Sequence, residues 1–242
     1  MNRCCGRISS SRLIEKSFNA RFSTDQSRIN VQGNLSTAKV IFIGDRHYDR
    51  SMQHIRKQFI NDHALEGDIY LNEGSCRSKK LTPEFVKLAR IKKSRPDLQY
   101  IKQGIEMWGW ENFEHRDKFS NLLRGAYSDI ISNNPTLEKL TEDQEKIVME
   151  FNDACHLVNQ ALVDTVKDHL KNLKPGQRIF VSSGRGHLLW DKPYCNILAH
   201  FKEKEGFTDC AYVEISESEL CKRNRNILAT NWVGGKKIGE YK

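Results

Sequence analysis

A central, mainly parallel β-sheet flanked by α-helices is the fold class that this sequence predicts. Three observations carry the prediction. Short apolar, β-branched runs recur along the chain, as in "KVIFI", "RIFVSS" and "DCAYVEI". Stretches with apolar residues at helical spacing lie between such runs. Strand, helix and strand also follow one another within about thirty-five residues after Lys39, the size of a βαβ unit, which implies parallel pairing through a right-handed crossover.

Residues 39–43 form the first run, which stops at Gly44 and reads as a buried strand. From Ser51 to Ala64 the positions Met52, Ile55, Phe59 and Ile60 keep helical spacing. A second strand is expected over Asp68–Asn72, closed by Glu73-Gly74. Thr82 then offers an N-cap with Pro83 at the first helical position. "LQYIKQGIEMWG" predicts a third strand ending near Gly104, Ile105 and Glu106. A helical region is expected from about Asn112 to Ile131, broken by "SNNPT" at Ser132–Thr136. Thr141 to Leu173 is the longest helix candidate, with Ile147, Phe151, Cys155, Val158, Leu162, Val166 and Leu170 as its apolar stripe. "KPGQ" ends it. "RIFVSS" is the fourth strand, "YCNILAHFKEKEG" a helix, and "DCAYVEI" the fifth strand. No pattern is assigned after Ser216.

A chain of 242 residues suits one α/β domain, placed at 31–221. The net charge of +8 belongs to the ends. Residues 1–30 carry six Arg/Lys against two acids, and residues 222–242 carry six against one. The short basic runs "KKSR" and "KRNR" read as solvated surface, so a nucleic-acid partner is not expected. No apolar stretch approaches the roughly 20 residues of a membrane helix, and no membrane span is expected. Seven cysteines without a Cys-x-x-Cys argue against a disulfide framework and for a reducing, intracellular compartment. Cys155 and Cys195 read as small core residues. The first thirty residues, rich in Ser and Arg, have the composition of a mitochondrial transit peptide or of a disordered basic tail. The expected location is mitochondrial in a eukaryote, and otherwise cytoplasmic or that of a translocated effector.

In parallel α/β sheets ligands bind outside the carboxyl ends of the strands. Four residues stand at such expected ends: His47, Glu73, Glu106 and His187. His47 and His187 each close a Gly-x-x-His, in "GDRH" and "GRGH". Gly44, Gly184 and Gly186 allow sharp turns and close approach to a ligand. Two imidazoles and a carboxylate suit a divalent ion of the Zn, Mn or Co type, with His47, Glu73 and His187 as ligands. They equally suit acid–base work without a metal. Arg185 is a candidate for stabilising a developing oxyanion. No Ser or Cys stands in a nucleophile elbow, which disfavours covalent catalysis. Asn152, His156 and Asn159 form one polar helical stripe, expected to face solvent more readily than the crevice.

"VIFIGDRHYDRSMQHIRKQFI", "DIYLNEG" and "RIFVSSGRGHLLW" together resemble the superfamily of Tiki/TraB, haem-binding ChaN-like and erythromycin-esterase-like proteins. The resemblance spans Lys39 to Ile215 and implies a mainly parallel sheet flanked by helices. It implies that His47, Glu73 and His187 form the site, and that Glu106 is the further acid which members carry after the third strand. Its branches include metal-dependent peptidases, ester hydrolases and haem binders. A hydrolase acting on a small-molecule or peptide substrate is the favoured expectation. Haem is the alternative cofactor, with Tyr48 as an axial ligand and Trp108, Trp110 and Trp190 as pocket walls. One departure points to a third alternative, an inactive relative serving as an effector or interaction domain. Many members have an Arg-Asn pair at the head of the helix before the last motif, and here Phe151 precedes Asn152.

Overall fold

A computed structural model of the chain describes residues 28–45, 50–77, 80–82, 84, 101, 102, 104–134, 137–184, 187, 188, 197, 201, 208–216, 232, 233, 236 and 237. The strands are β1 (Ile29–Gln32), β2 (Val40–Asp45), β3 (Ile69–Cys76), β4 (Glu106–Glu111), β5 (Ile179–Gly184) and β6 (Cys210–Ile215). A separate two-stranded hairpin joins β7 (Trp232–Val233) to β8 (Lys236–Lys237), in the tail where no pattern was assigned. The described helices are α1 (Arg50–His63), α2 (Phe113–Arg124), α3 (Ala126–Asn133) and α4 (Glu142–Lys171).

The main sheet has six strands in the order β1-β6-β2-β5-β3-β4. Five of them run parallel, and β1 lies antiparallel on β6 at one edge. The predicted α/β class is therefore observed. Side chains alternate across each strand, so the sheet buries two faces. On one, Ile41, Ile43, Tyr70 and Phe180 pack with Met52, Ile55, Phe59 and Ile60 of α1. On the other, Phe42, Leu71, Trp110 and Val181 pack with Val158, Leu162 and Val166 of α4. Cys155 is fully buried in α4, as expected. Among the described residues, no helix is long and apolar enough to cross a membrane.

Most elements fall where their apolar periodicity puts them. α4 begins at Thr141, whose side chain and that of Gln144 form a reciprocal capping box. Three acids occupy its first turn, and His169 and Lys171 its last, as the macrodipole favours. The helical region from 112 divides at Gly125 into α2 and α3. The helix start at Thr82-Pro83 lies largely outside the described residues, as does Cys195. Within "YCNILAHFKEKEG" only Ile197 and Phe201 are described, and both are core.

Two expectations are corrected. Strand β1 crosses the boundary placed after residue 30, because Ile29 to Gln32 pair with Ile215 to Tyr212. Only Ile29 and Val31 are apolar there, too few to signal an edge strand against a basic background. Arg28 ties this end to the body, donating to the Ser216 carbonyl and to Ser51 Oγ. The second correction concerns the third expected strand. Gly104 has φ +88° and belongs to the turn before the strand, not to its end. The strand starts at Glu106, which pairs with Ile69 at the beginning of β3. Ile101 and Ile105 look like strand residues because they are buried, but they fill the core from outside the sheet.

A buried ion pair locks α1 to the carboxyl end of β2. Arg56 donates to Asp45 Oδ2, and both side chains are almost wholly inaccessible. Removing one partner leaves the other's buried charge less well compensated, whereas replacing both with apolar groups does not. Arg56→Met should cost about 3–5 kcal/mol in urea unfolding, and Asp45→Leu/Arg56→Met far less. Equal stability of Arg56→Met and the native chain would disprove this role.

Candidate functional site

The two Gly-x-x-His motifs leave neighbouring strands. β5 lies directly beside β2, with Gly44 opposite Ser183 and Asp45 opposite Gly184. The two motif glycines are thus one residue out of step on adjacent parallel strands. Gly44 is required by packing: a Cβ there would lie 2.8 Å from the Tyr212 hydroxyl and 3.2 Å from Leu188. His47, Tyr48, Arg185 and Trp190 lie outside the described residues.

Glu73 and His187 come together. Glu73 sits where β3 bulges, between the paired positions Asn72 and Cys76, and Gly74 follows at φ +79°. Bulges of this kind re-aim a side chain at the end of a ladder. Glu73 Oε2 accepts the backbone N–H of Gly184 at 2.5 Å. Its Oε1 lies 3.9 Å from His187 Nε2, and the two side chains are 16% and 15% exposed, enough for water to reach them. His187 Nδ1 lies 2.7 Å from Oδ1 of Asn159, which projects from α4 and is itself buried. An amide oxygen only accepts, so Nδ1 carries the proton and Nε2 turns its other function toward Glu73. Trp110 meets the imidazole edge-on at 6.1 Å, and Phe119 leans on it at the same distance.

A buried polar layer supports the pair from below. The Tyr70 hydroxyl lies 3.0 Å from both Asn72 Oδ1 and Ser182 Oγ. Its single proton goes to the amide oxygen, so Ser182 donates to it. Ser182 Oγ then receives the Glu73 backbone N–H at 3.5 Å. Asn72 donates to the Glu73 carbonyl at 2.5 Å, and the Trp110 indole donates to the Ser182 carbonyl at 2.9 Å. These bonds fix the backbone on either side of the glutamate.

Glu106 does not join this group. It stands at the amino end of β4, half-exposed, accepting from Lys80 at 2.9 Å and from the Trp108 indole at 3.4 Å. The Lys80 hydrogen bond holds its carboxyl below the usual range. The acid at the carboxyl end of β4 is Glu111, which is 4% exposed. It receives the Gly74 backbone N–H, and Arg116 lies 3.4 Å away. Burial, and then the charge of Glu73, push its carboxyl up. A strand ending near Glu106 stops five residues short of Glu111, the observed end of β4. Extending the strand through Trp108 and Trp110 would place Glu111 at its carboxyl end.

The stripe of Asn152, His156 and Asn159 divides. His156 is exposed, Asn152 half-buried, and Asn159 turned inward onto His187. Phe151, in place of the arginine carried by the resembling families, is core, stacked between Tyr127 at 3.7 Å and Phe119 at 5.2 Å. Trp110 is fully buried, and Trp108 packs against His169 at the opposite end of the sheet. Neither ring is placed as the wall of an open pocket.

Glu73 and His187 each have one atom oriented by a neighbour, as ligands of a divalent ion usually do. Their chemistry fits such an ion as part of its donor set. Among the described residues no group of three His, Cys, Asp or Glu gathers tightly enough to hold a metal. His47, the third donor expected from the sequence, lies outside the described residues. No family model, curated protein or solved structure matches this chain.

The buried acid makes a pH-dependent prediction. Glu111's carboxyl is raised in the folded state, so folding binds its proton more tightly than the unfolded chain does. It imposes no penalty below the ordinary carboxylate range, and a growing one as pH rises through its raised value. Glu111→Gln should therefore raise the melting temperature at pH 8, with the gain vanishing below about pH 4. A gain unchanged across this range would show that charge is not the cause.

Proposed function

We propose that this protein is a hydrolase of peptidase or esterase type, with His187 and Glu73 activating water at the carboxyl ends of β3 and β5. One observation carries the reading: His187 is held through Nδ1 by Asn159 at 2.7 Å while Nε2 faces the Glu73 carboxylate. A histidine needed only for packing does not require both nitrogens to be directed in this way. The resemblance of the paired Gly-x-x-His and the strand-end glutamate to the Tiki, ChaN-like and erythromycin-esterase-like superfamily adds to it, with His47 as the expected third member.

The chemistry follows from the orientation. His187 Nε2 accepts a proton as water attacks the substrate carbonyl. The imidazolium so formed keeps its Nδ1–H on Asn159 and lies beside the Glu73 charge, which stabilises it. The same nitrogen returns the proton to the departing alcohol or amine as the ester or amide bond breaks. The Gly184 N–H holds Glu73 Oε2, so the carboxylate cannot swing away from the ring. Arg185 is the expected partner of the oxyanion. Were a divalent ion held by His47, Glu73 and His187, its Lewis acidity would acidify the bound water in place of the base, because the Nε2 lone pair of His187 would then be given to the ion.

Panels of activated esters and peptides, assayed with and without added Zn, Mn or Co, test the reading alongside elemental analysis. His187→Ala should lower turnover by roughly 10²–10⁴-fold. Asn159→Leu should lower it by about 10–100-fold, the usual loss when a ligand's orienting partner is removed. Turnover and metal content untouched by His187→Ala would overturn the proposal. A saturable Soret change on titration with haemin would favour the haem-binding alternative. Absence of both activities, with stable capture of one protein partner, would favour the interaction domain.

A further inference from the structure

The opposite end of the sheet carries a concavity. A cleft of about 680 Å³ opens where the β1–β2 connection, the last turns of α4 and the turn before β5 meet. Five of the residues lining it are Lys or Arg, and none is acidic. Lys39 comes from the start of β2, Lys167 and Lys171 from α4, Lys174 from the connection beyond, and Arg178 from the approach to β5. The helix macrodipole accounts for a lysine in the last turn of α4, but not for cations brought to the same cleft by other segments. Leu170, Leu173 and Ala38 give the cleft an apolar floor.

The cations differ in what they have left to offer. Arg178 is committed, donating to Asp68 and to the His63 carbonyl. Lys39 pairs with Asp209 and Lys171 with Asp168, each at 3.1 Å, and all four side chains are about half exposed or more. Exposed pairs of this kind are worth about 0–1 kcal/mol and yield readily to a multivalent anion. The chain's own ends cannot fill the cleft favourably, because residues 1–30 and 222–242 are both strongly basic. The volume lies within the range of small-molecule sites, about 300–1,000 Å³.

We propose that this cleft, with Lys39, Lys171 and Lys174 over Leu170 and Leu173, binds a small phosphorylated molecule that has an apolar body. A phosphate group brings up to about two negative charges and three acceptor oxygens, matching several ammonium donors. The apolar floor takes the remainder of the ligand. The site is distinct from that of Glu73 and His187, since the length of β2 and β5, roughly 20 Å, separates the two ends of the sheet. It stands whether or not the chain is a hydrolase.

Isothermal titration calorimetry of the full chain with ATP and with inorganic tripolyphosphate, at about 0.15 M salt, tests this. Both should bind saturably, and ATP more tightly because only it has an apolar portion to bury. Lys39→Gln/Lys171→Gln/Lys174→Gln should weaken both by roughly 10–100-fold. Lys118→Gln/Lys139→Gln/Lys146→Gln removes the same charge elsewhere on the surface and should leave binding unchanged. All these lysines are exposed, and circular dichroism checks that the variants fold. Absence of saturable ATP binding, equal loss in the two triple variants, no preference for ATP over tripolyphosphate, or displacement of ATP by an equal concentration of a poly-glutamate peptide would each overturn the proposal.

Discussion

The insertion of β5 between β2 and β3 is the constraint on which the candidate site depends. The chain completes β2, β3 and β4 before β5 enters, so β5 has to pair in parallel with two strands laid down much earlier in sequence. That single placement brings Gly184 to Glu73, because the end of β5 runs alongside the bulge of β3. It also sets the second Gly-x-x-His beside the strand that carries the first. Crevices for ligands open in parallel sheets where successive strands depart to opposite sides. Here β6 follows β5 in sequence but lies across β2 from it, so the order changes direction at the central strands.

The two ends of the sheet treat polar groups differently. At the amino end, the buried Asp68 is enclosed by donors: the backbone N–H groups of Leu65 and Arg178 and the Arg178 guanidinium. It closes the turns that start β3 and β5. At the carboxyl end, Glu73 and Glu111 stand close enough for one to raise the carboxyl of the other. Two neighbouring carboxylates in a partly dry place oppose folding unless something positive or a specific set of donors offsets them. Arg116 and the N–H groups of Gly74 and Gly184 provide part of that offset. Glu111 is thus held at this end of the sheet against the cost of its own burial.

Much of this was legible in the residues. The strands β2, β3, β5 and β6 declare themselves because their runs are buried on both faces, and α1 and α4 because their stripes match the helical period. Glu73 and His187 were found because each follows such a run directly. Gly104 reads as a strand terminator, which points to Glu106, whereas its positive φ belongs to the turn that introduces the strand and the acid at the far end is Glu111. Asn159 was grouped with Asn152 and His156 by spacing, but burial along α4 changes within that stripe, and periodicity cannot say which neighbour the innermost residue meets. β1 escaped notice because an edge strand needs few apolar residues and gains its order from pairing with β6. For Asn159 and β1 what is hidden is a tertiary partner; for Glu111 it is the local turn conformation at Gly104.

The identity of residue 159 sharpens the reading of the site. A histidine used as a base is commonly held by a carboxylate on its far nitrogen, which fixes the tautomer and stabilises the imidazolium. Here Glu73 already faces Nε2, and Glu111 lies close to Glu73. A third carboxylate at 159, buried in α4, would concentrate negative charge without further donors to match it. The amide of Asn159 accepts the Nδ1 proton without adding charge. Its Nδ2 group is turned toward Cys155 Sγ at 4.0 Å, a weak acceptor, so the oxygen is left to the histidine. A neutral residue at 159 thus orients the imidazole without adding a third negative charge beside Glu73 and Glu111.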